Sequence, residues 1–410
     1  MPLRAATTTS ESTSIFLLLA AMIVAAKLLG ELSDRLGQPV VLGELLAGVL
    51  LGPSLLGIMP AGPGMTTDLV ALLAELGVVL LLFEVGLETD LAALLKVGGA
   101  ALSVAAVGVV LPFLGGWLFW RLTPHPDAAG TTMVTAIFLG ATLTATSVGI
   151  TARVLRDLGR LQTTEARVIL GAAVIDDLVG LVILSVVAVL AEGGGISAGG
   201  VARTLGLAVA FLFLAVAGGR IIGPRAFDLV GRMQSGGVIP VTALAVVLAF
   251  AALAALAGSA MIVGAFAAGL SLAATRQHKE IERVMNPIVA VFAPLFFVQV
   301  GSALDLRVLD PRTPGGVALL VSAAALIVIA LAGKVIAGWS APWTSFDRLT
   351  VGLGMIPRGE VGLIFADLGR RAGVLSSELF AAVVLVVMAT TFFAPIALKL
   401  RLQHQVAALP

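Results

Sequence analysis

The sequence predicts an all-α polytopic membrane protein. Of its 410 residues, 59% are hydrophobic and only 12% charged, about half the charge fraction of soluble domains, and mean hydropathy is +1.10. Apolar runs approaching the roughly 20 residues that cross a hydrocarbon core of about 30 Å follow one another along most of the chain. Runs of this length lack the ten-residue alternation of an outer-membrane barrel, so helices are the consistent spanning element.

About 13 transmembrane helices are expected on that length criterion. They cover 13–30, 38–58, 66–87, 98–122, 131–152, 168–191, 198–220, 237–257, 259–274, 284–303, 315–338, 349–369 and 376–398. The first could be misread as a signal peptide, because Arg4 precedes an apolar stretch from Ile15 to Ala26. Ser and Thr fill the interval after Arg4, however, and basic Lys27 and Arg35 follow the run. The ninth run is short and its junction with the eighth is tight, which leaves the count open by one helix.

Composition also excludes chemistry. The chain has no cysteine, so disulfides, thiol catalysis, Fe–S clusters and Cys-type zinc sites are out, and the redox compartment is undetermined. His125, His278 and His404 fall in loops or the tail, too scattered for a metal site. A net charge of +1 gives no reason to expect nucleic acid, and no cofactor is expected. The lipid bilayer is the implied surrounding.

Orientation follows from the basic residues. With the N-terminus outside, Arg4, Arg121, Arg203, Arg307, Arg312, Arg370 and Arg371 lie outside, while Lys334 and Arg358 lie within spans. The other 16 of the 25 Lys and Arg fall inside, which under the positive-inside rule places the N-terminus out and the C-terminus in the cytoplasm.

The two halves are weakly similar. "VLGELLAGVLLG" (41–52) resembles "IVGAFAAGLSLA" (262–273), setting Gly43 on Gly264 and Gly48 on Gly269. "LLLFEVGLETDL" (80–91) resembles "LFFVQVGSALDL" (295–306), setting Gly86 on Gly301 and Asp90 on Asp305. The offsets are 221 and 215 residues, an odd number of spans apart, so the copies enter the membrane in opposite directions. Chance similarity of Gly/Leu-rich helices is the alternative. Two matches in the same order favour two inverted six-helix repeats joined by a linker helix at 198–220, an arrangement common in secondary transporters. The repeat then pairs the fifth run with the twelfth and the sixth with the thirteenth.

Charges inside the runs mark a site. The sixth reads "VILGAAVIDDLVGLVILSVV", with Asp176 and Asp177 near its middle. An ionisable group there costs about 2.5–3.5 kcal/mol on insertion scales, more than a mere capping or packing pair justifies. Consecutive helical residues diverge by about 100°, so the two carboxylates can face different surroundings. The eleventh run, "LIVIALAGKVIAGW", has Lys334 as its one charge. A snorkelling lysine is the alternative to a buried Asp176–Lys334 ion pair.

Two runs are poor continuous helices. The fifth contains "GATLTATSVGITARVL", whose Thr142, Thr144, Thr146, Ser147 and Thr151 crowd around Gly140 and Gly149. The twelfth contains "LGMIPRGEVGLIF", where Pro357 and Gly359 bracket Arg358 and Glu360. Interrupted helices at matching places in two repeats point to a transport site, because freed carbonyls and hydroxyls can replace an ion's hydration shell. Small-residue helix packing explains the fifth run nearly as well, but not the charges of the twelfth. Arg358 and Glu360 are expected to support the half-helix ends. Glu44, Glu75 and Glu84 also lie in apolar surroundings and receive no transport role; Glu44 suits an interface or a partner arginine.

Taken together, "GAAVIDDLVGL", "TATSVGITARVL", the lone Lys334 and "MIPRGEVGL" resemble the bacterial sodium/proton antiporters of the cation:proton antiporter-2 group, especially the electrogenic NapA-type members, over essentially the whole chain. The resemblance implies a homodimer with a dimerisation domain at 13–90 and 237–303. It also implies an ion-translocating core at 98–191 and 315–401, crossed by the two broken helices. Asp177 would then bind Na+ or protons in turn, Asp176 would pair with Lys334, and Thr146 and Ser147 would lie at the unwound segment beside the ion. The implied activity is export of Na+ or Li+ against H+ by alternating access, electrogenic, in the bacterial inner membrane.

Three other readings stand beside it. A K+/H+ antiporter or K+ efflux transporter keeps the fold and changes the ion. Efflux systems usually carry a cytoplasmic nucleotide-binding domain, whereas this sequence stops about twelve residues past the last run. A sodium-coupled organic-anion symporter can share the helical arrangement, but the Asp pair with Lys334 argues against it. An intramembrane aspartyl protease, the enzymatic alternative, needs facing carboxylates on different helices; adjacent Asp176 and Asp177 cannot share a proton that way.

Overall fold

The computed structural model describes residues 2–407 other than 37, 61, 63, 124–131, 192–197, 231, 234–236, 259, 304–305, 313–315, 359–361, 363–364, 367–368 and 371–372. The described residues form fifteen α-helices and one 3-10 turn, Leu306–Leu309, with no strand. In order they are α1 Pro2–Arg35, α2 Val40–Leu51, α3 Met65–Glu88, α4 Leu91–Lys96, α5 Gly98–Leu122, α6 Thr132–Thr142, α7 Val148–Asp157 and α8 Thr164–Ala191. There follow α9 Ala198–Val230, α10 Val238–Leu256, α11 Met261–Leu272, α12 His278–Ser302, α13 Gly316–Ala337, α14 Arg348–Gly354 and α15 Ser377–Ala407.

Eight helices among the described residues are long and apolar enough to cross a membrane: Thr13–Arg35, Met65–Glu88, Gly98–Leu122, Val209–Val230, Val238–Leu256, His278–Ser302, Gly316–Ala337 and Glu378–Gln403. Apolar stretches in α2, α6 and α11 are shorter. The run expected over 38–58 is helical for only twelve residues. Gly52 turns extended (φ −66°, ψ 173°) because it precedes Pro53, whose ring disfavours a helical predecessor. The ninth run likewise shortens to the twelve residues of α11. The expected linker at 198–220 instead continues as helix to Val230. Short α4 was not anticipated; Asp90 caps it, its Oδ1 accepting the Ala92 and Ala93 amides at 2.9 and 3.3 Å.

Packing sorts the helices. α3 lies against α11 and α12, α2 against α1 and α12, and α10 against α11. Separately, α5 lies against α6, α8 and α13, and α13 against α15. The half-helix α7 touches α2 and α3 on one side, α8 and α15 on the other. Backbones meet without intervening side chains at several glycines, among them one on α2 and one on α11. A Cβ on Gly48 would stand 2.1 Å from the Val298 carbonyl and 2.8 Å from Gly301 Cα. One on Gly269 would stand 2.2 Å from the Phe83 carbonyl and 2.8 Å from the Gly86 carbonyl carbon. Only glycine admits such contacts.

Candidate ion site at two interrupted helices

The fifth expected run is interrupted. α6 ends at Thr142, where the Thr142 and Thr144 hydroxyls donate back to the Leu139 and Ala141 carbonyls, each at 2.8 Å. Side chains thereby occupy acceptors that a continuing helix would fill with amides. Ala145, Thr146 and Ser147 are irregular, and α7 starts at Val148. Ser147 sits at the N-cap (φ −85°, ψ 107°), but its hydroxyl makes no capping bond.

The twelfth run breaks as well: α14 closes at Gly354, and Ile356, Pro357 and Arg358 are irregular. The two breaks are laced together. The Ser147 amide donates to the Pro357 carbonyl at 2.7 Å, the Thr151 hydroxyl to Gly354 at 2.7 Å, and Arg358 Nη1 to Ala145 at 3.1 Å. The Thr391 hydroxyl on α15 donates to the Arg358 carbonyl. Each interruption thus satisfies backbone groups that the other leaves open, which is how irregular chain is tolerated inside a membrane protein.

Asp176 of α8 points into this crossing. It is 3% exposed, and its Oδ2 accepts from Lys334 Nζ at 2.8 Å and from Thr146 Oγ1 at 2.7 Å. Lys334, on α13, is fully buried, so the expected ion pair is present and the snorkelling alternative is excluded. The same Thr146 hydroxyl lies 3.2 Å from the Met355 carbonyl. One hydroxyl proton serves one of these two acceptors at a time. Asp176 Oδ1 is buried with no hydrogen-bond partner among the described residues, and so are Arg358 Nε and Nη2. Asp177 is buried at 6% exposure. Glu360 lies outside the described residues.

The structure therefore brings Asp176, Lys334 and Thr146 into direct contact, and ties Ser147 and Arg358 to the same crossing through the backbone. Thr391 was not foreseen, although Thr390 and Thr391 are a visible polar pair in an apolar run. The oxygen atoms here, from carboxylates, hydroxyls and carbonyls, are hard donors of the kind alkali and alkaline-earth cations take.

A second charged seam lies at the far end of α7. Arg156 Nη2 donates to Glu84 Oε1 at 2.7 Å, its Nη1 reaches Glu84 Oε2, and its Nε is 3.7 Å from Glu88. Arg153 Nη2 stands 3.4 Å from Glu44 Oε1, and its Nε 3.0 Å from Asp157. Glu44 thus has the partner arginine that the sequence suggested. Burial pushes the Asp157 carboxyl up, against the opposing pull of Arg153. Before α14, Asp347 accepts both Arg401 Nη2 and Nε, at 2.8 and 2.9 Å, and the Thr350 amide at 3.1 Å. The Arg401 hydrogen bonds, helped by Thr350, hold its carboxyl at about 2, against its partial burial.

This geometry has recognisable company. The model of the family described as "Sodium/hydrogen exchanger, transmembrane" matches residues 18–404. The high-affinity Na+/H+ antiporter NhaS3 of Synechocystis sp. is 38% identical, covering 93% of this chain and 88% of its own. The Na+/H+-K+ antiporter GerN of Bacillus cereus is 36% identical, covering 94% and 95%, and a Na+/H+ antiporter of Enterococcus hirae is 32% identical, covering 93% and 96%. In fold, the chain is similar to the sodium proton antiporter MjNhaP1 of Methanocaldococcus jannaschii, with a TM-score of 0.67 and 17% identity, covering 97% of this chain and 99% of that one. With a family model spanning nearly its whole length and relatives above 30% identity, the chain belongs to the transmembrane sodium/hydrogen exchanger family.

Proposed function

We propose that the protein exports Na+ (or Li+) in exchange for H+, as a secondary active antiporter of the bacterial inner membrane working by alternating access. The observation that carries this reading is the buried Asp176–Lys334 pair, with the Thr146 hydroxyl on the same carboxylate oxygen, at the crossing of two broken helices. Asp177, one residue on, is the cation and proton carrier. A carboxylate that takes either H+ or Na+ couples the two fluxes by competition, provided that its empty charged form cannot cross the barrier. The cost of moving a bare charge through low dielectric enforces that condition.

Lys334 gives the cycle its electrical asymmetry. Na+ entering beside Asp177 competes with the ammonium for Asp176. A lysine that then gives up its proton makes the exchange two H+ per Na+, hence electrogenic. Thr146 and Ser147 supply neutral oxygens to the cation, and Arg358 and Glu360 support the half-helix ends.

In this reading the site lies between two bodies of a homodimer, a dimerisation domain (13–90 and 237–303) and an ion-carrying core (98–191 and 315–401), joined through a linker helix that begins at 198 and runs on to Val230. Two sets of glycine contacts support the repeat. Gly48 meets Gly301, and Gly86 meets Gly269, a pair of contacts that exchange when Gly48 maps on Gly269 and Gly86 on Gly301. Gly43 abuts the Leu29 carbonyl while Gly264 abuts that of Phe250, and both residues of the first contact shift by 221 to give the second. The repeat, the positive-inside count and the opposed half-helices together support about 13 spans with the N-terminus out and the C-terminus in.

The test is proton flux in proteoliposomes, followed by a pH-gradient dye as Na+, Li+ and K+ are added in turn. Wild type is expected to respond to Na+ and Li+, and Asp177→Asn to none. A retained Na+ response in the variant removes Asp177 from the carrier role. Lys334→Gln is expected to exchange without generating voltage, and unchanged electrogenicity excludes the lysine as proton donor. A K+/H+ reading is favoured by one observation, the similarity at 36% identity to GerN, a Na+/H+-K+ antiporter. The K+ arm of the same assay decides it.

A further inference from the structure

The contact between α3 and α7 is closed on one side of the ion site and open on the other. Gly149, two residues past Ser147, marks the boundary: a Cβ there would meet Val78 Cγ2 of α3 at 3.3 Å and Leu82 Cδ2 at 3.7 Å. From that point toward Asp157 the contact is locked by Arg156 on the buried Glu84 of α3, with Arg153 on the buried Glu44 of α2 beside it. Toward the Met65 end of α3 it opens. Val78 is 3% exposed, but Glu75, one turn earlier, is exposed.

Glu75 precedes Val78 by three residues and Leu82 by seven, which puts it on the side of α3 that faces Gly149. It is the eleventh residue of the 24 in α3, close to the middle of a span, where a carboxylate facing lipid is costly and rare. Among the described residues it has no hydrogen bond or ion pair. A mid-span carboxylate that is exposed, unpaired and adjacent to the closed seam is accounted for if water reaches it.

We infer that Glu75 lines a water-filled approach to the ion site from the Met65 end of α3, where its charge draws in the alkali cation and sets its apparent affinity from that side. The inference rests on the proposed ion site at Asp177. Glu75 is a recruiting residue and takes no part in the competition between H+ and Na+ at Asp177. Its effect is electrostatic, so it weakens as added salt screens it.

The chain has no cysteine, so Glu75→Cys introduces a single thiol. In oriented vesicles it is expected to react with a membrane-impermeant maleimide applied to the face at the Met65 end of α3, and to react more slowly with Na+ present. In the flux assay, Glu75→Gln is expected to raise the KM for Na+ about three- to tenfold with little change in maximal rate. Glu75→Asp is expected to restore it, and the difference from wild type should narrow in choline chloride. A thiol that reacts only with lipid-soluble reagents, or that cross-links to its copy in a second chain, overturns the inference, as does an unchanged KM. Asp177→Asn separates the two readings. If exchange survives in it, the carrier assignment falls while thiol accessibility still reports on Glu75; if it abolishes exchange and Glu75→Gln leaves KM unchanged, only the role of Glu75 falls.

Discussion

Among the described residues Asp176 is held by two donors on one oxygen and by none on the other, so its partners there are specific and few. Asp176→Asn leaves a fully buried ammonium without its counter-charge, and removal of one partner of a buried pair costs about 3–5 kcal/mol. A lower melting temperature in detergent is expected for Asp176→Asn, with much of the loss recovered in Asp176→Asn/Lys334→Gln. A double variant no more stable than the single one would show that the pair is not what holds this site. The charges of the site were legible in the sequence because intramembrane charge is costly and needs a reason. Hydroxyls were less so, since Ser and Thr in helices usually bond to their own preceding carbonyls. Thr390 does that, reaching Val386 at 2.8 Å, whereas its neighbour Thr391 turns instead to Arg358. Nothing local in the sequence separates the two.

The interrupted helices could be read from Pro357, the glycines and the run of threonines, because those residues disfavour continuous helix. The length of α11 could not, since its apolar run continues past the last helical turn and only the three-dimensional path shows where the chain leaves the helix, whereas the end of α2 is marked by Gly52 before Pro53. The start of α14 is the best-defined junction, with Asp347 capping Thr350 while gripping Arg401 of α15. Its carboxyl titrates at about 2, below the usual Asp value near 4. A depressed folded-state value means that the ionised form stabilises the fold. That contribution is complete above about pH 4 and lost as pH falls toward about 2. The melting temperature of wild type is therefore expected to drop across this window relative to Asp347→Asn, which starts lower and lacks this component. Parallel pH profiles for the two proteins would contradict the assignment.

For the molecule as a whole, the proposed repeat makes a symmetric prediction. Gly48→Ala and Gly269→Ala place a methyl against equivalent backbones and are each expected to cost about 1–3 kcal/mol, seen as similar falls in melting temperature. Gly98→Ala, where a Cβ meets nothing within 4 Å, should be neutral. A large loss in only one of the paired variants would break the equivalence. The matching glycines were visible in the sequence as a pattern, but their reason, backbone against backbone, needed coordinates. Between the two sets of helices runs α7, ten residues and so about 15 Å of stiff rod. One end begins at the break that holds Thr146, and the other carries the arginines clasping Glu44 and Glu84. A rod this short does not bend, so displacement of one end is felt at the other within the same motion. In the proposed cycle, occupancy of the ion site and the grip of the charged seam would thereby be two readings of a single position.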